Sequence, residues 1–166
     1  MKLSTLALAV YLALPALAQD AAKDNVKFYK LDFLVKELDD NKVVSAKSYS
    51  AYTAADEKSR GASIRTGNRV PYQPTAGSYQ YADIGVNIDC QSAREAGGQL
   101  ILIIVADISS IPGGAEAAPN ALPMVRQNRW NSMVLVPIGK ATTLFSSDDL
   151  NSKRKMQLEV TATPVK

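Results

Sequence analysis

Histidine is absent from the 166 residues, and cysteine occurs once, at position 90. Without histidine the chain cannot carry a Ser-His-Asp or Cys-His catalytic set, or a zinc site that uses His. One thiol excludes an internal disulfide and every metal site built from several cysteines. The sequence also lacks a glycine-rich nucleotide-binding motif, a G-x-S-x-G motif and a C-x-x-C motif. We therefore expect a protein without enzymatic activity, cofactor or bound metal.

A strong excess of one charge is also lacking. Lys plus Arg number 19 and Asp plus Glu number 16, so the formal net charge is +3. Phosphate backbones are bound by dense basic surfaces, which this balance does not supply. Nucleic acid is therefore excluded as an expected partner.

Residues 1–18 have the pattern of a cleavable signal peptide. An apolar run, Leu3–Leu14, follows Lys2, and Ala16 and Ala18 supply the small residues before a cleavage site at Gln19. Spanning a bilayer takes roughly 20 apolar residues, so this run is too short for a membrane anchor. We expect an exported protein, periplasmic or extracellular, that associates with the outer membrane only through partners.

The residues after the predicted signal peptide form two segments, a short lead-in and one domain. Residues 19–25 are polar and are expected to form a flexible lead-in, and residues 26–166 are expected to form a single β-domain. The most apolar stretch left is Leu100–Ala106. Seven residues suit a buried strand, so no membrane span is expected in the mature chain.

Strand patterns dominate the predicted domain. Val26–Leu38 fits either a helix or a strand, but a turn cluster, Asp39–Lys42, and the Tyr-rich, β-branched Val43–Thr53 favour a hairpin. Gln99–Ile111 is apolar on both faces, which is typical of a central strand covered on both sides. Met156–Ala162 alternates apolar and polar residues.

Segment spacing indicates the fold class. Seven or eight strand-like segments recur every 10–15 residues, and no segment is convincingly helical. The sequence therefore predicts an all-β fold, a mostly antiparallel sandwich or partly open barrel. Pro71–Gly77 is expected to be an irregular connection, and Pro112–Pro123 the most flexible loop.

Two polar or reactive features have simple structural interpretations. Cys90 shares a strand face with Val86 and Ile88, so its thiol is predicted to be buried and inert. Asp148 and Asp149 could ligate a hard cation, but their spacing is not that of an EF-hand loop. We interpret both aspartates as turn residues.

Two groups of side chains are candidates for a ligand or partner surface. Exposed tyrosines can form a platform for a sugar or a peptide, although they also pack across any sheet. If the last strands pair in sequence, basic residues would meet near them and could bind anionic headgroups or an acidic partner, although a solvated strand end is the simpler explanation. The candidate residues are Tyr72, Tyr79, Tyr81, Arg126, Arg129, Lys153 and Arg154.

Five segments follow one another in an informative order. They are Thr66–Tyr72 (TGNRVPY), Tyr81–Ile88 (YADIGVNI), Leu100–Ile111 with its Ser-Ser step, Arg129–Lys140 (RWNSMVLVPIGK) and Met156–Val165 (MQLEVTATPV). This order resembles the C-terminal core domain of secretins, the outer-membrane rings of type II secretion, type III secretion and type IV pilus systems. That core has a G-x-x-V-P segment, a Y-x-D-I/V-G-V strand, a strand ending in Ser-Ser, a Gly turn and a closing T-P.

The resemblance has limits. The family's G-G-L step after the Gly turn is replaced by Leu144–Ser147, and the following proline-patterned segment and the upstream ring-building domains are not among the 166 residues. The resemblance therefore implies a secretin-like β-fold in a short stand-alone version, without the pore.

These observations lead to one main functional expectation and one alternative. We expect an exported, non-enzymatic β-domain that acts through protein–protein contacts in the cell envelope, in association with a secretion apparatus; a homo-oligomer is compatible with this role. The alternative is a small-ligand or glycan-binding β-sandwich that uses the tyrosines. An exposed strand edge or flat apolar patch would favour assembly, and a concave cleft would favour ligand binding.

Overall fold

The protein is all-β, with eight strands in two four-stranded antiparallel sheets. The computed structural model describes residues 26–56, 61–75, 77–111, 124–149 and 152–165. The strands are β1 (Phe28–Asp39), β2 (Lys42–Ala54), β3 (Ala62–Thr75), β4 (Ser78–Ala96), β5 (Gln99–Ser110), β6 (Arg126–Pro137), β7 (Thr142–Asp148) and β8 (Arg154–Pro164). Sheet A has the order β2-β1-β8-β7, and sheet B has the order β3-β4-β5-β6. The predicted fold class is confirmed.

The β1–β2 hairpin forms where the sequence predicts it. Asp40 and Asn41 make the turn with positive φ angles of 46° and 63°, a conformation that Asp and Asn adopt more readily than other residues with side chains. The strand interpretation of residues 26–38 is therefore confirmed, and the helical alternative is wrong. The turn fixes a register in which Phe33 lies opposite Tyr49.

The core lies between the two sheets and is built from alternate residues of the central strands. Sheet A contributes Leu31 and Phe33 from β1 and Leu158 from β8, and sheet B contributes Ile88 from β4 and Leu102 from β5. All of these side chains are essentially inaccessible to solvent. The alternation predicted for the closing strand is confirmed at its centre, because β8 lies between β1 and β7 and its inward side chains are covered.

Two local expectations are wrong. Residues 71–75 continue β3 instead of forming an irregular connection. Pro71 is tolerated because β3 is an edge strand, where a missing N–H need not break a ladder. The last three strands also do not pair in sequence, since β6 belongs to sheet B and β7 and β8 belong to sheet A.

The predicted leader, the lead-in and the loop at residues 112–123 lie outside the described residues. Within the described ranges, no helix is long and apolar enough to cross a membrane.

Candidate interaction surfaces

The outer face of sheet B carries an exposed apolar patch. Along β5 the inward residues are buried, but the outward residues Ile101, Ile103 and Val105 are only half-buried. In the register of β5 with β6, Met133 lies opposite Ile103 and Leu135 lies opposite Ile101. Met133 is 62% exposed and Leu135 is 57% exposed. We call these five residues the outer patch.

The outer patch corrects the expectation that β5 is covered on both sides. Only neighbouring side chains of its own sheet border its outward face among the described residues. Soluble proteins rarely leave contiguous apolar side chains uncovered, and such patches mark contact sites. The apolar outward residues of β5 therefore form a face that the described part of the chain does not cover.

Charged residues border the outer patch towards the start of β6. The Asp107 carboxylate accepts hydrogen bonds from Gln127 at 2.9 Å and from the Arg129 guanidinium at 2.8 and 3.1 Å. Burial alone would raise the pKa of Asp107, but these hydrogen bonds outweigh it and hold the pKa below its usual value. Arg129 thus lies on the outer face of sheet B, where it forms the polar border of the patch.

Strand β6 adds a free backbone edge beside the outer patch. It is hydrogen-bonded to β5 on one side and is the last strand of sheet B. Residues 130–136 contain no charged side chain and no proline. Edge strands are usually protected from further pairing by Lys or Pro. This half of β6 has neither, and no other described strand pairs with its outer edge.

The second exposed feature is a two-stranded ribbon formed by the ends of β3 and β4. Strand β4 pairs with β5 only from Val86 onwards, so among the described strands residues 78–85 pair with β3 alone. We call residues 68–75 and 78–84 the ribbon. All three candidate tyrosines lie on it.

The ribbon separates the tyrosines onto two faces. Tyr79 and Tyr81 alternate on one face, where they are 68% and 60% exposed and where the Arg69 guanidinium lies 5.8 Å from the Tyr81 ring centroid. Tyr72 lies opposite Gln80, on the other face, and its hydroxyl donates a hydrogen bond of 2.8 Å to that side chain. The three rings therefore do not form one platform.

The third feature is a cleft between the two sheets. It has a volume of about 860 Å³, and the ends of strands from both sheets surround it. Arg126 and Arg154 line it, whereas Lys153 does not and instead lies 3.7 Å from Asp40. Two of the four basic candidates are therefore brought together, although β6 and β8 are in different sheets.

An ion pair between the sheets explains how these arginines meet. Arg126 begins β6 in sheet B and contacts the Asp149 carboxylate, just after β7 of sheet A, at 2.9 Å. The backbone N–H of Asp149 in turn donates to the carbonyl of Arg154 at 2.8 Å. Arg154 itself pairs with Glu37 at 3.0 Å.

The acidic and thiol groups show no reactive arrangement. Within the part of the chain that the structure describes, no group of three His, Cys, Asp or Glu residues could hold a metal ion. Burial raises the pKa of the Cys90 thiol to about 11, and the thiol donates a weak hydrogen bond to the carbonyl of Ser92. Asp148 ends β7 and lies 3.4 Å from Lys155, so it belongs to a strand end.

Sequence reasoning missed the residues that make the outer patch and also Lys47, one of three lysines that line the cleft. The outer patch had a signal, because Gln99–Ile111 is apolar on both faces and Met133 and Leu135 alternate with polar residues. Lys47 had none, since its position in the cleft depends on the pairing of two distant sheets.

Comparisons with known proteins return secretins. No protein-family model and no curated protein sequence matches the chain. Similar solved structures include ExeD of Aeromonas hydrophila, at 15% identity, a TM-score of 0.47 and coverage of 84% of this chain and 47% of that one. The type II secretin XcpQ of Pseudomonas aeruginosa gives 14% identity, a TM-score of 0.48 and coverage of 84% and 57%. The Salmonella type III secretin InvG gives 11% identity, a TM-score of 0.47 and coverage of 85% of this chain and 64% of that one.

These structures belong to the family that the sequence motifs resemble. The chain spans roughly half the length of the structures it matches, from 47% to 64% for the three named here. At TM-scores below 0.5 this likeness carries no argument about what the chain does.

Proposed function

We propose that this protein is an exported, non-enzymatic β-domain that acts through protein–protein contacts in the cell envelope, in association with a secretion apparatus. The outer patch carries this proposal, because it is a flat apolar surface next to an unprotected strand edge. The signal-peptide pattern of residues 1–18 supports export. The secretin-like order of motifs supports the envelope setting.

The geometry of the outer patch suits a protein partner. Full burial of a Leu or Met side chain contributes about 1.5–3 kcal/mol. Met133 and Leu135 are a little over half exposed, so a partner would gain roughly half of that from each. The free edge of β6 would add backbone hydrogen bonds in the manner of β-augmentation. The ion pair of Arg129 with Asp107 supplies the polar border that protein interfaces usually have.

The tyrosine-based alternative is less well supported. Tyr72 points to the opposite face of the ribbon from Tyr79 and Tyr81, so a sugar or peptide could not contact all three together. The two exposed rings lie on an open strand surface, and the cleft does not include them.

Replacing Leu135 by Lys tests the proposal. The substitution places a charge in the outer patch, and Leu135 is exposed enough that the fold should be unaffected. Val44→Lys is the matched control, since Val44 is 55% exposed in β2 of the other sheet. Tagged mature proteins would be used to capture partners from an envelope extract of the native source, with quantitative mass spectrometry.

We expect the main partner to be lost with Leu135→Lys and retained with Val44→Lys. Sedimentation of the purified proteins would show whether that partner is a second copy of the chain. Identical partner sets for the two variants, or the absence of any partner of the parent protein, would contradict the proposal.

A further inference from the structure

Side chains join the two sheets at both ends, but only at one end do the sheets leave a cleft between them. At the end without the cleft, Tyr29 of β1 and Lys27 just before β1 contact Glu95 of β4 in sheet B. The Tyr29 hydroxyl donates a hydrogen bond of 2.7 Å to the Glu95 carboxylate, and the Lys27 amine donates one of 3.0 Å. At the opposite end the sheets enclose the cleft of about 860 Å³. The cleft therefore gives access from one end of the molecule to the edge of the hydrophobic core.

The floor of the cleft is apolar. Val35 from sheet A and Val86 and Ile108 from sheet B line it, and each of them also belongs to the hydrophobic core. Met156 covers the same region from β8, and Asn128 of the opposite sheet lies 3.6 Å from its sulfur. A ligand in the cleft would thus contact apolar side chains at the edge of the core.

Above this floor the inward faces of both sheets carry polar side chains as well as apolar ones. In the strand registers Thr66 lies opposite Val86 and Asn128 lies opposite Ile108, so both polar side chains share the inward face with core residues. Lys47 shares the inward face of sheet A in the same way, because it lies directly opposite Val35. Facing sheets normally place apolar residues at such positions, so this end is built differently from the rest of the core.

The charges in the cleft leave one cation uncompensated. Four of the five basic residues that line it have a carboxylate partner: Lys36 with Glu159 at 2.6 Å, Arg126 with Asp149 at 2.9 Å, Arg154 with Glu37 at 3.0 Å and Lys155 with Asp148 at 3.4 Å. Lys47 is the fifth, and among the described residues it has no carboxylate partner. An anionic group could pair with Lys47 without displacing any ion pair among the described residues.

We propose that the cleft binds a single-chain amphiphilic carboxylate, that is, a fatty acid. The alkyl chain would lie against Val35, Val86 and Ile108, and the carboxylate would pair with Lys47. The register places the cation directly beside the apolar floor, so the two ends of such a ligand meet complementary groups at adjacent positions. This site is separate from the outer patch, which lies on the outward face of sheet B.

Calorimetric titration of the mature protein tests the proposal with three probes. Dodecanoate carries both the tail and the charge, dodecanol lacks the charge, and butyrate lacks the tail. We expect dodecanoate to bind at one site per chain. Dodecanol should bind at least about tenfold more weakly, since a charge-assisted hydrogen bond is worth at least ~1.4 kcal/mol. Butyrate should also bind at least about tenfold more weakly, because it buries far fewer CH2 groups against the apolar floor. No binding of dodecanoate, or equal binding of dodecanol, would overturn the proposal.

Three variants locate the bound probe. Lys47→Gln should weaken dodecanoate binding by about tenfold. Lys42→Gln, in the same strand but outside the cleft lining, should leave it unchanged. Leu135→Lys should also leave it unchanged, because that substitution alters only the outer patch. Unchanged binding by Lys47→Gln, or loss of binding by Leu135→Lys, would show that the cleft is not the site, whereas the proposed protein contact would stand or fall on its own test.

Discussion

At the residue scale, Cys90 shows how burial controls chemistry. The thiol lies on the inward face of β4 and is almost completely buried. Desolvation raises its pKa to about 11, because the thiolate would lose hydration without gaining a strong partner. The native thiol should therefore react very slowly with iodoacetamide at pH 8 and rapidly in denaturant. Mass spectrometry of timed samples would measure both rates.

The control for this prediction is Cys90→Ala, which should lose all labelling and cost about 1 kcal/mol of stability. Rapid labelling of the native protein, or a disulfide-linked dimer on a non-reducing gel, would show that the thiol is accessible. The burial of Cys90 could be predicted from the sequence, because its strand alternation depends only on near neighbours.

Tyr29 is a residue-scale feature that could not be predicted in the same way. Burial raises its pKa to about 12, and the hydrogen bond to Glu95 adds to the shift. The alternation of β1 indicates a buried ring, but the carboxylate partner is 66 positions away in the other sheet. Pairings of this kind depend on how the sheets pack, which local patterns do not encode.

At the scale of elements, a pair of glycines marks where the ribbon leaves sheet B. Gly67 lies opposite Gly85, and the Gly85 N–H donates a hydrogen bond of 3.0 Å to the Ser109 hydroxyl. Gly85 has a φ angle of 155°, and a Cβ there would overlap the Thr66 carbonyl oxygen and the Gly67 Cα. Only glycine fits this position without strain.

Gly85→Ala is therefore expected to reduce the free energy of unfolding by about 1–3 kcal/mol, because the backbone must move away from β3. Asn87→Ala is the control, since Asn87 is exposed two residues further along β4, and it should change stability by less than about 0.5 kcal/mol. Urea titrations followed by circular dichroism would compare the two. Equal midpoints would mean that the two strands do not approach as closely as described.

The elements also show which sequence signals were sufficient. The β1–β2 hairpin was predictable because its turn residues and both strands are adjacent in the chain. The ribbon was not, because Pro71 and Pro74 indicate an interruption, and only the edge position of β3 makes them acceptable. The separation of β6 from β7 was also hidden, since a short turn, Ile138–Lys140, joins strands of different sheets where a hairpin was expected.

At the scale of the whole molecule, strand β8 and the ribbon differ in how much they contribute to the stability of the fold. Strand β8 lies in the middle of sheet A, pairs with both β1 and β7, and buries Leu158 and Val160. These two side chains contribute about 1.5–3 kcal/mol each by burial, in a domain whose total stability is about 5–15 kcal/mol. The ribbon, in contrast, extends beyond β5, and within the described ranges its strands pair only with each other.

Two deletions should therefore have opposite outcomes. Arg69 and Asp83 lie opposite each other in the ribbon. Replacing residues 70–82 by Asn-Gly would connect them by a favourable two-residue hairpin turn. This variant should keep a cooperative unfolding transition within about 1 kcal/mol of the parent, because the shortened loop costs less entropy to close. Ending the chain after Asp149 removes β8, leaves β7 without a strand partner and should prevent folding.

Near-ultraviolet circular dichroism and urea unfolding would distinguish these outcomes. Loss of cooperative unfolding in the variant without residues 70–82 would mean that the ribbon packs against the body and helps to hold it together. Cooperative unfolding of the chain that ends at Asp149 would mean that β8 is dispensable, which its central position does not allow. Because the ribbon carries all three candidate tyrosines and the outer patch lies outside it, the ribbon-deleted protein would also show directly whether the tyrosines contribute to partner capture.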